Sequence, residues 1–175
     1  MKEPHVEALI ELFNQLFKDS LNTILVKGED EPIYLPADAD HPHHRVIFAH
    51  GFYASALHEI AHWCVAGARR RELVDFGYWY KPDGRSADEQ AEFERVEVRP
   101  QAFEWLMSCA AGKRFHFSAD NLSAELGASD QFQQNVLTTV HQLLDTGLPE
   151  RLGKLVHALC LQSGRGPLQK AEFQL

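Results

Sequence analysis

Two histidines and a glutamate stand close together in the stretch SALHEIAHWC, residues 55–64. His58 and His62 are four residues apart, so on a helix both imidazoles lie on one face. That spacing lets them bind one ion at about 2 Å each, and H-E-I-A-H matches the HExxH metal-binding motif. The flanking residues are apolar, and burying these polar groups without partners is costly. The sequence therefore predicts a metal site, with histidines hydrogen-bonded within the core as the alternative.

A third ligand is required, because two histidines alone do not complete a metal site. The next helical segment, from residue 86, is rich in carboxylates. Each carboxylate could equally belong to a solvated helix face, and at this point the choice among them stays open. The candidates are Glu89, Glu92, Glu94, Glu97 and Glu104.

The composition argues against a nucleic-acid partner and against a membrane protein. The chain of 175 residues has 17 Lys and Arg against 25 Asp and Glu, a formal charge of -8, whereas a phosphate-backbone binder needs a basic face. No window provides the roughly 18 consecutive apolar residues of a membrane span. The N-terminal stretch has glutamates at positions 3, 7 and 11, which is unlike a signal peptide. The three cysteines, none in a CxxC pair, are expected to be free thiols in a reducing, cytoplasmic setting.

Hydrophobic periodicity predicts the elements that must position the histidines. Apolar residues at helical spacing indicate a helix over about 4–18, and short β-branched runs predict strands. The HExxH helix should run from about 53 to 66. Ser86 and Glu89 match a capping box that opens the segment 86–112, in which Pro100 must kink the helix or start a second one. The other predicted elements are strands at 22–28, 32–36, 45–51 and 73–85, and helices within 119–163.

These elements predict an α+β fold with a small β-sheet and a helical majority. At this length, with 45% hydrophobic residues, one domain with a single core is expected over residues 1–175. The tail at 164–175, GRGPLQKAEFQL, is expected to be loose.

Longer runs of the sequence resemble known families. EVRPQAFEWLM (97–107) is similar to the ligand-bearing segment of small gluzincin-like proteins, which implies a zincin-like core with Glu97 as the third ligand. VIFAHGFYASALHEIAHWC, RRELVDFGYWY, PDGR and VEVRPQAFEWL closely resemble the elongation factor P hydroxylase family. This resemblance implies an iron-dependent enzyme that uses dioxygen to hydroxylate the lysyl-modified lysine of elongation factor P. It also implies that Fe(II) is held by His58, His62 and Glu97.

The ligand set alone does not choose the metal. Two imidazoles and one carboxylate on one face of an octahedron leave open positions at Fe(II), and the same groups in a tetrahedron suit catalytic zinc. A small zinc metallopeptidase of the gluzincin type is therefore the alternative function, and a non-catalytic binding module is a third. Glu59 would be the general base of a peptidase. In a hydroxylase it would orient water or meet the substrate ammonium group, and a buried structural carboxylate is its other interpretation.

Three further side chains are candidates for the pocket. His50 precedes Gly51 at a strand-to-helix turn, where it could donate a hydrogen bond behind the ligands or serve only as a turn residue. In FGYWY, Tyr78 and Tyr80 share one strand face with Phe76. They could hold the lysine methylenes and its cation, although aromatic residues at such spacing often belong to the core.

Overall fold

The computed structural model describes residues 5–75, 86–117 and 129–175. Helices dominate it, and one small sheet lies near the N-terminus. In chain order the elements are α1 (Val6–Phe17), β1 (Thr23–Lys27), β2 (Ile33–Leu35), β3 (His44–Phe48), α2 (Tyr53–Val65), a 3₁₀ turn (Arg70–Glu72), α3 (Ala87–Ala110), α4 (Asp130–Thr146), α5 (Glu150–Ser163) and a second 3₁₀ turn (Lys170–Glu172).

The sheet has three strands in the order β1-β3-β2, so β3 lies in the middle. β1 runs parallel to β3, with Leu25 opposite Val46, and β2 runs antiparallel to it, with Tyr34 opposite the same residue. The central strand has two buried apolar residues, Val46 and Phe48. These buried residues anchor β3 in the core, and the helix α2 follows β3 directly in the chain.

A left-handed turn joins β3 to α2. His50 and Gly51 have φ values of 59° and 68°, a conformation that glycine adopts readily and histidine rarely. The N–H of His50 donates to the carbonyl of Glu29 at 2.7 Å, which ties the turn to the chain beyond β1. This turn lets the helix with the HExxH motif start immediately after the central strand.

Helix α2 is buried on most of its surface. Leu57, Ile60 and Ala61 are almost inaccessible to solvent. Trp63 makes edge contacts with Phe13 and Phe17 of α1, with ring centroids 5.1 and 4.8 Å apart. These contacts fix the rotation of α2 and leave one strip of it for the polar residues of the motif.

Helix α3 begins as predicted and continues through Pro100 as one helix. The capping box is present, because Ser86 accepts from the N–H of Glu89 and the Glu89 side chain accepts from the N–H of Ser86. Pro100 lies inside the helix and does not start a second one. The missing N–H costs one backbone hydrogen bond, but packing holds the helix together, since Phe103 and Leu106 beyond the proline are fully buried.

The tail differs from the loose segment expected for 164–175. Phe173 is buried, its ring lies 5.5 Å from that of Trp105, and its carbonyl lies 3.0 Å from Nε2 of His141. Arg165 also pairs with Glu172 at 2.7 Å. A polar, glycine-containing tail therefore folds back because one aromatic residue near its end fills a site on the helical core.

The fold is α+β, a single domain with a helical majority and a small sheet, as the sequence predicts. Most of the strand predicted at 73–85 lies outside the described residues. At its start, Asp75 forms an isolated antiparallel bridge with Tyr34. The helix predicted near 119–127 also lies outside the described residues. No helix in the described ranges combines the length and the apolar character needed to cross a membrane.

Candidate metal centre

The two histidines of the motif lie on the same strip of α2. The rings of His58 and His62 are 4.8 Å apart between centroids, as four-residue spacing on a helix requires. Both are only partly accessible, because the other faces of α2 are packed into the core. The helix thus presents two imidazoles side by side toward its neighbour α3.

Helix α3 provides a carboxylate opposite each histidine. Oε1 of Glu97 lies 3.2 Å from Nε2 of His62, and Oε1 of Glu104 lies 3.0 Å from Nδ1 of His58. Glu97 and Glu104 are seven residues apart, or about two helical turns, so both point the same way from α3. Both carboxylates are buried, at 1% and 7% exposure.

His58, His62 and Glu97 form a group that could hold a metal ion. Each offers one ligand atom, and these atoms all lie within 4.8 Å of one another. Atoms that share one ion at about 2 Å each are separated by about 3–4 Å, so the group is close to a binding geometry. No other group of this kind occurs among residues 5–75, 86–117 and 129–175.

The remaining glutamates of α3 are engaged elsewhere. Glu89 belongs to the capping box, Glu92 pairs with Arg95 at 2.6 Å, and Glu94 accepts hydrogen bonds from Ser129. They lie on faces of α3 that do not meet the histidines. The crossing of α2 and α3 therefore distinguishes Glu97 from carboxylates that the sequence leaves equivalent.

Charges within the group shift its protonation. Burial alone would lower the pKa of His58, but the hydrogen bond and charge of Glu104, with Glu59 and Glu97, raise that pKa to about 10. Burial would raise the pKa of Glu97, yet His62 and the hydrogen-bonded Gln101 bring it below its usual value. Glu97 is therefore ionised at neutral pH, which is the form that binds a cation.

Glu59 lies beside the ligand group without belonging to it. Burial raises the pKa of this carboxyl, and the charges of His58 and His62 offset part of that rise. With His58, it lines a cleft of about 400 Å³, and with His62, it borders a cavity of about 30 Å³. The larger cleft is also lined by Asp30, His50, Glu104, Arg114 and His116.

His50 lies at the rim of this cleft. Its side chain is 53% exposed, and its Nδ1 is 4.0 Å from a carboxylate oxygen of Asp30. The residue belongs to the left-handed turn between β3 and α2 and also lines this cleft. Tyr78 and Tyr80, the other two pocket candidates, lie outside the described residues.

Sequence reasoning missed the partner of His58. Glu104 stands among the candidate third ligands, but its carboxylate meets Nδ1 of a histidine instead of completing the ligand group. The seven-residue interval between Glu97 and Glu104 was the available signal, because residues about two turns apart share one face of a helix. Arg114 and His116 of the cleft follow α3 and carry no motif that would identify them.

Two comparisons with known proteins bear on the family to which this chain belongs. The sequence model of the elongation factor P hydroxylase family matches residues 12–173. The chain is also 54% identical, over 157 residues, to the elongation factor P lysine hydroxylase of Haemophilus influenzae; the alignment covers 90% of this chain and 88% of that protein. A family model and a relative that each span most of the chain identify it as a member of the elongation factor P hydroxylase family.

Proposed function

We propose that this protein hydroxylates a lysine of elongation factor P, using a metal ion bound by His58, His62 and Glu97. The observation that carries the proposal is the three-residue ligand group, one member of which, His58, lines a cleft of about 400 Å³. The family and the relative both carry the hydroxylase description, and the relative's printed name specifies lysine. The substrate form implied by the resemblance is the lysyl-modified lysine.

Iron is the metal that suits this function. Two neutral imidazoles and one carboxylate on adjacent helices form the 2-His-1-carboxylate set of non-haem Fe(II) oxygenases, which leaves positions open for other ligands. Bound Fe(II) would supply the activation of dioxygen that hydroxylation of a C–H bond requires. A helix with HExxH facing a glutamate from a later helix also supports the zincin-like core that the sequence implies.

The cleft offers groups that suit a lysine side chain. Its wall contains the carboxylates of Asp30 and Glu59, which favour a cation over a neutral side chain. We assign Glu59 to the ammonium group of the substrate, because it lines the cleft next to His58 and stays outside the ligand group. The methylenes would then pass the rim that His50 and Phe115 contribute.

The alternative of a zinc metallopeptidase receives no support. The matching family and the similar relative are both described as hydroxylases. In the peptidase hypothesis Glu59 would act as a general base on water. In the proposed function the same carboxylate contacts the substrate instead.

Mass spectrometry of elongation factor P tests the proposal. The lysyl-modified factor is incubated with the protein, Fe(II), a reductant and air, and a gain of one oxygen atom on the modified lysine is expected. His58→Ala should abolish this gain, whereas the matched variant His157→Ala, at an exposed position of α5, should keep it. Cleavage of peptides with stoichiometric zinc and no oxygen consumption would overturn the proposal.

A further inference from the structure

Glu104 contacts His58, a member of the ligand group, without belonging to that group itself. Its Oε1 lies 3.0 Å from Nδ1 of His58, within hydrogen-bond distance, and the two side chains are largely buried, at 9% exposure for Glu104 and 16% for His58. An imidazole has only two ring nitrogens. While Glu104 holds Nδ1 of His58, an ion at this histidine would have to be bound by Nε2.

The position of Glu104 is set by the core rather than by solvent. Phe103 and Leu106, on either side of it, are fully buried, as is Ala102. The same stretch of α3 also carries Glu97, two turns earlier. One helix therefore carries a carboxylate of the ligand group and a second carboxylate that contacts a histidine of that group.

We infer that Glu104 is a positioning residue that holds His58 in the Nδ1–H tautomer and in the ring orientation that directs Nε2 at the metal. The inference rests on the proposed metal site at His58, His62 and Glu97. A carboxylate behind a histidine ligand fixes its tautomer and raises its basicity, and removing such a partner weakens metal binding by about 10–100-fold. Glu104 thus contributes to metal affinity without touching the ion.

Metal affinity of Glu104→Gln measures this contribution. Gln keeps the size of the side chain but loses its charge, and its amide N–H₂ can also face Nδ1 and favour the wrong tautomer. Competition against a chromophoric chelator should give an Fe(II) and Zn(II) affinity about 10–100-fold below that of the wild type. Glu92→Gln, an exposed position on the same helix that pairs only with Arg95 among the contacts described for it, is the matched control and should bind as the wild type does.

Nuclear magnetic resonance of the Zn(II)-loaded protein reports the tautomer of His58 directly, which a purely structural role of Glu104 would not affect. In the wild type, ¹⁵N-labelled His58 should show a proton on Nδ1 and the shift of a metal-bound nitrogen at Nε2. This measurement needs no variant, so it stands even if Glu104→Gln fails to fold. In a folded Glu104→Gln protein, the Nδ1–H resonance should move or disappear.

The outcomes separate this inference from the proposed metal site. If the wild type binds neither Fe(II) nor Zn(II), the metal site itself is wrong. If the wild type binds metal and Glu104→Gln binds it equally well, only the role of Glu104 is overturned. A metal-bound Nδ1 on His58 in the wild type would also overturn that role.

Discussion

At the scale of single residues, the site depends on which atom of each side chain faces which neighbour. Glu97 and Glu104 are chemically identical and both are buried, yet one meets Nε2 of His62 and the other Nδ1 of His58. Glu97 belongs to the ligand group, whereas Glu104 contacts a member of that group from outside it. Substitutions at these positions should therefore have different consequences.

Replacing Glu97 should remove a ligand. Glu97→Gln supplies neither the charge nor the basicity of a carboxylate, so the loss of metal affinity should exceed the about 10–100-fold expected for an outer hydrogen-bond partner. Metal content after dialysis and hydroxylation of elongation factor P both measure this loss. Glu94→Gln, one turn earlier on α3 and bound to Ser129, is the control. Full metal content in Glu97→Gln would require a different third ligand.

Replacing Glu59 should separate metal binding from catalysis. Because Glu59 lines the cleft but lies outside the ligand group, Glu59→Gln should keep its iron while its rate of hydroxylation falls. Iron content and kcat/KM for the modified factor give the two quantities. Glu72→Gln, at an exposed position of the first 3₁₀ turn, should leave both unchanged. Loss of iron from Glu59→Gln would instead indicate that Glu59 belongs among the ligands.

At the scale of the elements, α3 holds both glutamates that contact the histidines of α2. It spans Ala87–Ala110 and presents both Glu97 and Glu104 to α2. Its start is fixed by the capping box, in which Ser86 and Glu89 satisfy each other's backbone N–H groups. A well-fixed start keeps the register of the helix, and hence the height of each carboxylate opposite its histidine.

Removing the cap should destabilise the protein by a modest amount. Ser86→Ala leaves the N–H of Glu89 without its side-chain acceptor, which typically costs about 1 kcal/mol. Chemical denaturation followed by circular dichroism measures the free energy of unfolding. Glu89→Gln preserves the pattern of a capping box, so its change should be smaller. An unchanged free energy of unfolding in Ser86→Ala would contradict a stabilising role for the Ser86 hydroxyl in the cap.

At the scale of the whole molecule, distant parts of the chain hold α2 in place. Arg151 of α5 donates to the carbonyls of Trp63 and Ala66 at the end of α2, and its guanidinium lies 4.7 Å from the centre of the Trp63 ring. These carbonyls have no partner within their own helix. The last helix of the chain therefore supports the end of the helix that bears the histidines.

Removing this guanidinium should lower global stability. Arg151→Gln loses charge-assisted hydrogen bonds to backbone carbonyls and the ring contact, for a cost of about 2 kcal/mol in the free energy of unfolding. Lys154→Gln is the matched control on α5, because the exposed pair of Lys154 with Glu150 contributes little. Thermal denaturation compares the two. Equal melting temperatures for Arg151→Gln and the wild type would contradict a supporting role for Arg151.

The tail provides a second test at this scale. Phe173 is 1% exposed and contacts Trp105, so Phe173→Ala should cost about 3–5 kcal/mol, as other buried aromatic truncations do. Phe52→Ala, at a residue 65% exposed, should change stability far less. Denaturant midpoints measure both. Near-equal midpoints would restore the expectation of a loose tail.

Features that depend on local spacing could be predicted from the residue pattern. Four-residue spacing predicts that His58 and His62 share a helix face, and the Ser86–Glu89 pattern predicts where α3 starts; both predictions are confirmed. The α+β class follows from the same periodicities. Longer runs also indicated the elongation factor P hydroxylase family, which the comparisons confirm.

Which carboxylate contacts which histidine depends on tertiary packing and could not be predicted from local spacing. Five glutamates between 89 and 104 look alike locally, and the crossing of α2 over α3 brings just Glu97 and Glu104 to the histidines. Packing likewise carried α3 through Pro100 and buried Phe173 in a tail whose polar composition predicts disorder. In each case the deciding contact joins residues far apart in the chain, whereas the periodicity of a sequence reports only on neighbours a few positions away.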